Sequence, residues 1–369
     1  MHVDTGRTWR GGQGQVLLLM RELARRGHDQ HLLAPHGPLL EGARAAGLPV
    51  TRWEAHGELD VPAMFAARRA LASFAPDVAH LHSAHAHALA AWPARWAGVP
   101  ATVVSRRVDF KVAQHAFSAL KYRMPVDRYF CISRGVEQVM RVSGVPAARL
   151  ALVPSGVDLA AVRAQGAAPV ADLRAWLGIP ADADVVGTVA SLAPHKHHAL
   201  LLQAVPAILA RRANTHFVWL GEGECRGALE RERAALGVVK HVHMPGFHPQ
   251  AAALMRQFTL FALTSYLEGL CTSLLDAQVL GVPIVATAVG GIPEVVTDDV
   301  TGALIATLQA PAVAARILEA LGDPARRARW AAAAGQSVQA FGIAHTADRT
   351  VLEYARVLTQ RRMTGKGNR

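Results

Sequence analysis

Residues 258–287 read FTLFALTSYLEGLCTSLLDAQVLGVPIVAT. Two short apolar runs, FTLFALT and VPIVAT, flank a longer apolar segment of helical length. Strands that are apolar at consecutive positions are covered on both faces, which is the condition of a strand inside a parallel sheet. The helix is expected to start between residues 270 and 272 and to stop at Gly281 and Pro283, residues that end helices. The stretch is therefore a strand–helix–strand unit, and its charges stand out. Glu268 and Gly269 lie in the loop just past the first strand, and Asp276 lies inside the apolar helix.

Moving outward, the second half repeats this grammar. DVVGTVASL (184–192), THFVWLG (215–221) and HVHMPG read as strands; HALLLQAVPAILARR (198–212) and ECRGALERERAALG (224–237) read as helices. The first half follows the same rule less clearly. QVLLLMRELARRGH (15–28) reads as a helix with Gly27 near its end, and QHLLAP, DVAHLH, ATVVS and RYFCIS as strands. RLALVPSGVD (149–158) reads as a strand and turn. The opening strand, HVD, is short, so the natural start is expected upstream of Met1. The alternation predicts an α/β chain of two doubly wound parallel-sheet domains. The Ala-, Gly- and Pro-rich stretch 159–183 is taken as the junction. The expected domains are 1–160 and 161–344, with a last helix over about 345–369 returning to the first. No short-period repeat is visible.

The gross composition narrows the class. At 369 residues the chain is long for one core and suits two domains. It is 51% hydrophobic, yet no apolar run reaches the roughly 18–20 residues of a membrane span. The best candidate, HALAAWPARWAGVPATVV, is broken by Pro93, Arg95 and Pro100. The opening MHVDTGRTWRGG lacks the apolar region of a secretory signal. Cys131, Cys225 and Cys271 are scattered, which points to a reduced, cytoplasmic protein without a disulfide or thiolate metal site. The net charge of +11 suits acidic partners such as phosphorylated substrates or an anionic membrane face. No nucleic-acid-binding motif is present.

In open α/β sheets ligands bind beyond the carboxyl ends of the strands, where the 258–287 loop falls. A helix N-terminus there offers unpaired N–H groups and a positive dipole end to a phosphate. Glu268 is placed to accept hydrogen bonds from sugar hydroxyls and Asp276 from a ribose diol. The plain alternative is a surface loop charge and a solvated helix residue, and residue patterns alone leave the two readings level.

Residues 266–305, YLEGLCTSLLDAQVLGVPIVATAVGGIPEVVTDDVTGALI, resemble the donor-site signature of family-4 glycosyltransferases of the GT-B fold. That pattern is E-G-F-G-x-x-x-x-E-A-x-A-x-G-x-P-V-V-A-T-x-x-G-G-x-x-E, and the match runs from Glu268 to Glu294 with a few substitutions. WRGGQGQVLLLMRELARRGH resembles the family's N-terminal Gly-Gly loop and first helix. PDVAHLHSAHA resembles its D-V-V-H-x-H strand. CISRGVEQVMRVSGVPAARLALVPSGVDL, VASLAPHKHHALLLQA and FVWLGEGECRGALE resemble three further family segments, so nearly the whole chain is covered.

The resemblance implies two Rossmann-like domains facing a central cleft, the first binding the acceptor and the second a nucleotide-diphospho-sugar. It implies transfer with retention of configuration, without metal or other cofactor, in synthesis of cell-surface glycan, lipopolysaccharide or glycolipid. Carried over, Glu268 contacts the donor sugar, and Asp276, one methylene shorter than the family's Glu, the ribose. Backbone groups at Leu270, Cys271 and Thr272 hold the diphosphate, which Lys196 neutralises. Gly12, in the N-terminal loop, allows close approach of phosphate and acceptor. Two positions depart from the pattern. Ser191 stands where the family usually has an arginine, and Arg106 and Arg107 stand where a histidine is usual. Either arginine is a candidate for the missing charge, and with His82 for acceptor or phosphate contact. Domain closure is expected to exclude water.

Other readings stay open. The fold also hosts sugar-nucleotide epimerases and phosphorylases, and Ser191 with the short first strand motivates a degenerate member that binds membrane or a partner. His80, His82, His85 and His87 admit a metal cluster, against a plain strand end and loop. GGIPE (290–294) lacks dinucleotide-fingerprint spacing and reads as a tight loop under the donor site. RRVDFKVAQHAFSALKYR (106–123) reads as an amphipathic surface helix or a foot on anionic membrane. The expected location is cytoplasmic, with peripheral attachment to the inner membrane face as a further expectation.

Overall fold

Thirteen short strands, nearly all of them buried, build two sheets among the described residues, in which every strand pair is parallel. The computed structural model describes residues 1–107 and 121–365. Most of the 106–123 stretch read as an amphipathic helix lies outside them.

The chain divides into two units, Met1–Gly156 with Ile343–Arg369, and Val157–Gly342. The sequence reading put these divisions near residues 160 and 344. The 159–183 stretch, taken there as the junction, instead forms two helices of the second unit. Its Ala and Gly content serves packing: a Cβ on Gly166 would meet the Leu280 side chain at 2.3 Å.

The first unit holds β1 (His2–Val3), α1 (Gly11–Arg25), β2 (Leu32–Ala34), α2 (Pro38–Ala45), β3 (Val50–Arg52) and α3 (Val61–Phe74). Next come β4 (Val78–Leu81), α4 (Ala84–Trp96), β5 (Ala101–Arg106), β6 (Arg128–Cys131), α5 (Arg134–Val142) and β7 (Leu150–Leu152). Its strand order is β3-β2-β1-β4-β5-β6-β7. Helices begin where the sequence caps them: Asp60, Ser83 and Ser133 each accept a hydrogen bond from the backbone N–H three residues on.

The second unit holds α6 (Leu159–Ala167), α7 (Leu173–Leu177), β8 (Asp184–Val189), α8 (His198–Leu209), β9 (Thr215–Leu220), α9 (Arg226–Ala235), β10 (Val242–Gly246) and α10 (Ala251–Met255). It continues with β11 (Leu260–Leu263), α11 (Thr272–Val279), β12 (Ile284–Thr287), α12 (Ile292–Val295), β13 (Ala303–Ile305), α13 (Ala310–Gly322) and α14 (Pro324–Ser337). Its order is β10-β9-β8-β11-β12-β13, and its core gathers Phe217, Trp219, Leu260, Val285, Ile317 and Trp330. The last helix, α15 (Ile343–Gly365), packs on α1 and β5 of the first unit.

Each sheet reverses its winding once, between β1 and β4 and between β8 and β11. The loops leaving those strands diverge to opposite sides, so a crevice opens at each reversal. Each carries residues that the sequence reading singled out.

Candidate active site

In the second unit the loop after β8 passes through a 3-10 turn, Pro194–Lys196, into α8. Two glycines let it sit close to the end of β9. A Cβ on Gly221 would lie 1.9 Å from the Ala190 carbonyl oxygen, and one on Gly223 2.5 Å from that of Leu192. Backbone bonds follow from this approach: Leu192 N–H donates to Glu222 at 2.9 Å, and Cys225 N–H to Leu192 at 2.9 Å. The β11 loop clasps the same turn. Tyr266 N–H donates to the His195 carbonyl at 3.0 Å, and the Thr264 hydroxyl to that of His197 at 3.0 Å.

This scaffold brings Lys196 and Glu268 together across the crevice. The Lys196 Nζ donates to Glu268 Oε2 at 2.6 Å, with side chains only 13% and 11% exposed. Ser265 Oγ donates to the same carboxylate oxygen at 3.2 Å, and Gly291 N–H holds the Glu268 carbonyl at 2.9 Å. The GGIPE loop thus buttresses Glu268 through its backbone. Burial opposes the Lys196 charge, but the Cys271 sulfur, 3.9 Å away, and the Glu268 carboxylate outweigh it and raise the lysine pKa. Leu270 and Cys271 are buried. Cys271 lies against Ser273 Oγ at 3.1 Å, and burial pushes its thiol pKa up.

Helix α11 begins at Thr272, and the Cys271 side chain does not cap it. Its first turn therefore keeps donors for an anion. Asp276, one turn along, is half-buried, and its carboxylate has no hydrogen-bond partner among the described residues. Desolvation raises its pKa to about 7. Ser191 is exposed and adds no cation.

In the first unit Gly12 lies in the first turn of α1, not in the preceding loop as the sequence reading had it. The helix starts at Gly11, four residues before the expected start at residue 15, because nothing after Arg10 interrupts its hydrogen bonding, Gly14 N–H already donating to the Arg10 carbonyl. A Cβ on Gly12 would meet Arg107 at an ordinary 3.7 Å, so protein packing does not demand the glycine. β5 ends at Arg106, Arg107 is the first residue beyond it, and the two arginines meet different neighbours. Arg107 turns to His82 Nδ1 at 3.4 Å and Ser155 Oγ at 3.5 Å. Arg106 acts instead on His87 and Tyr122. Burial lowers the Arg107 pKa to about 10, and its Nε is buried without a partner.

The four histidines of HLHSAHAH do not gather. His85 is exposed near Glu58, and His87 stacks edge-on with Tyr122 and Tyr129. His80 and His82 are joined instead by His2, through the β1–β4 register that pairs His2 with His80. Their nitrogens are close enough to share an ion, yet each has a hydrogen-bond partner. His2 Nδ1 meets His82 Nε2 at 2.8 Å, and His2 Nε2 meets Gln30 Oε1 at 2.7 Å. His80 contacts Tyr354 at 2.6 Å and Ser105 at 2.7 Å, and His82 Nδ1 faces the Arg107 cation. His2 and Gln30 escaped the sequence reading. The only signal was a polar residue inside the shortest apolar strand.

Known proteins with this organisation do related chemistry. Residues 9–161 match the family model described as Glycosyltransferase Family 4, and 170–337 the model described as Glycosyl transferases group 1. A D-inositol 3-phosphate glycosyltransferase of Kineococcus radiotolerans is 32% identical over 244 residues, 61% of this chain and 55% of that protein. A GDP-mannose-dependent alpha-(1-6)-phosphatidylinositol monomannoside mannosyltransferase of Mycolicibacterium smegmatis is 31% identical over 50% of each chain. The chain thus spans about half the length of these curated relatives. Among solved structures, Anabaena Alr3699/HepE in complex with UDP aligns with a TM-score of 0.83 at 18% identity, over 96% of this chain and 99% of that one. Sucrose-phosphate synthase of Thermosynechococcus elongatus aligns at 0.79 and 19% identity, over 97% and 99%. With the two family models together covering most of the chain and a Rossmann-like parallel sheet in each unit, as in GT-B glycosyltransferases, the chain belongs to the group 1 glycosyltransferases of family 4.

Proposed function

We propose that this chain transfers a sugar from a nucleotide-diphospho-sugar to an acceptor hydroxyl with retention of configuration. The observation that carries the reading is the Lys196–Glu268 pair at the β8–β11 reversal, beside the uncapped start of α11. A donor would take the pair apart: its diphosphate engages Lys196 and the N–H groups of residues 270–272, and its sugar hydroxyls engage Glu268. As the sugar–phosphate bond breaks, charge grows on the diphosphate where Lys196 and the helix dipole offset it. The sugar becomes oxocarbenium-like, the acceptor attacks from the departing face, and the phosphate oxygen takes its proton. Asp276 meets the ribose diol. No metal or cofactor enters this scheme.

The relatives' names suggest the chemistry of both substrates. Inositol phosphates and phosphatidylinositol mannosides are anionic polyols, and UDP-glucose and GDP-mannose are uracil- and guanine-based sugar nucleotides. Arg107, with His82 and the first turn of α1, suits an acceptor phosphate, in glycan or glycolipid synthesis. A thermal-shift panel with UDP, GDP, ADP and their sugar conjugates tests the reading. Stabilisation by one nucleotide, lost in Glu268→Ala and Lys196→Ala, supports it. A flat response from folded protein favours a member that only binds a partner, and product formed without acceptor favours an epimerase.

A second observation supports peripheral membrane attachment. No described helix is long and apolar enough to span a bilayer. The outward side of α3 carries Val61, Phe65, Arg68 and Arg69, at helical spacing, and α4 beside it carries Trp92, Arg95 and Trp96. Trp92 and Trp96 stack at 6.3 Å and are 41% and 48% exposed. Neither helix contains an acidic residue. Aromatic rings among arginines suit an anionic lipid interface. Co-sedimentation with phosphatidylglycerol/phosphatidylcholine vesicles, reversed by salt and lost in Trp92→Ser/Trp96→Ser, is expected. Undiminished binding by that variant rules this face out.

A further inference from the structure

The hydrogen bonds around His2 determine which nitrogen of His82 carries its proton. Gln30 Nε2 donates to two backbone carbonyls, Asp29 at 2.9 Å and His28 at 3.3 Å, so its amide orientation is set. Gln30 Oε1 can then only accept, and its partner at 2.7 Å, His2 Nε2, must hold the proton. A neutral His2 leaves Nδ1 as a lone pair, and that pair faces His82 Nε2 at 2.8 Å. His82 Nε2 is therefore the donor, and His82 Nδ1 is left as a lone pair facing the Arg107 guanidinium at 3.4 Å. Both rings are buried, His2 2% and His82 5% exposed, and burial beside Arg107 keeps both neutral.

We propose that Gln30 and His2 are positioning residues: through this relay they hold His82 in the Nε2–H tautomer, and so aim its Nδ1 lone pair to orient Arg107 beside the first turn of α1. With the opposite tautomer an N–H would point at the guanidinium, and two donors would face each other. The guanidinium needs such a guide. Its contacts to His82 and Ser155 are long, and the Asp4 carboxylate acts on its charge through space while accepting hydrogen bonds from Gly6 and Gln13. His80 stands outside the relay, held by Tyr354 and Ser105. The functional consequence rests on the reading of Arg107 as a phosphate contact; the tautomer assignment does not.

Long-range proton–nitrogen correlation spectra of the full-length protein labelled with 15N-histidine read the tautomer directly, with His82 assigned by its loss in His82→Gln. The expected spectrum shows His82 protonated at Nε2 and bare at Nδ1. Gln30→Leu removes the acceptor opposite His2, so the His2–His82 pair can reverse and a second His82 pattern should appear. Gln30→Glu keeps an acceptor oxygen there and should restore the original pattern. A wild-type His82 protonated at Nδ1, or a pattern unchanged in Gln30→Leu, overturns the relay. Kinetics separate the second layer. Once a donor is identified, Gln30→Leu should lower kcat/KM by roughly tenfold, and adding it to Arg107→Ala should cost little more. If Arg107→Ala leaves kinetics unchanged while the tautomers follow Gln30, the phosphate-contact reading fails and the relay stands.

Discussion

At the residue scale, Lys196 and Glu268 serve each other in the ligand-free protein. Removing one partner of a nearly buried pair leaves the other charge uncompensated. Lys196→Ala should therefore lower stability, by on the order of 3 kcal/mol, in addition to weakening nucleotide binding. A Lys196→Met/Glu268→Gln double variant should recover most of the melting temperature without recovering binding. Calorimetry of the three proteins checks this; a double variant less stable than either single one contradicts it. In turnover, loss of the Lys196 charge is expected to cost about 10²–10³ in kcat, the scale for removing one stabilising donor.

Asp276 gives a pH signature. Its folded pKa, about 7, lies above that of an ordinary carboxylate, so the folded state binds the extra proton. That contribution is fully present below pH 4 and is lost as pH rises through about 7. Asp276→Asn should consequently gain in melting temperature relative to wild type as the pH goes from 5 to 8. Nucleotide binding should move the opposite way in the wild type, strengthening above pH 7 as the carboxylate ionises to accept the diol. A binding curve equally flat in both proteins would remove Asp276 from the ribose site.

At the element scale, the Lys196 turn depends on a neighbour that never touches substrate in this scheme. The end of β9 can hug it only because Gly223 has no side chain. Gly223→Ala puts a Cβ 2.5 Å from the Leu192 carbonyl oxygen, a contact that backbone must relieve. We expect a loss of about 1–3 kcal/mol and weaker nucleotide binding with Lys196 and Glu268 both intact. Wild-type affinity in this variant would show that the turn tolerates displacement. The motif G-E-G was visible in the sequence as a strand end. Its reason, the approach to Leu192, was not, because the two segments are separated by a helix and a strand.

At the scale of the whole molecule, the last helix belongs with the first residues. The Arg128 guanidinium pairs with Glu353 at 2.5 Å, Tyr354 meets His80, and Arg26 donates to the Ala344 carbonyl at 2.8 Å. Truncation after Gly342 should lower the unfolding temperature of the first unit and spare that of the second. Two calorimetric transitions, only one of which responds to nucleotide, would separate them. An equal drop in both contradicts the division of the core.

The sequence by itself determined the class of fold and offered candidates for the second unit's site. Apolar strands alternating with capped helices leave a parallel sheet as the way to bury both faces, and such a sheet puts its ligand at the strand ends. Glu268 and Asp276 stood out as candidates because a charge in an apolar run is costly without a purpose, and only the family pattern favoured the donor-site reading over a plain surface charge. Lys196 was legible through the family pattern rather than through its own surroundings. Tertiary structure alone decided the partnerships. Lys196 and Glu268 are 72 positions apart, and only the winding reversal between β8 and β11 brings them to 2.6 Å. His2 joins His80 and His82 through strand register, which local sequence does not encode for a two-residue strand. Arg106 and Arg107 look interchangeable as letters, yet Arg106 ends β5 near His87 and Tyr122 while Arg107, just beyond it, meets His82 and Ser155. The 159–183 stretch read as a junction because Ala and Gly are weak signals. In the folded chain one of those residues, Gly166, is what allows α6 to pack close against α10 and α11 of the second unit.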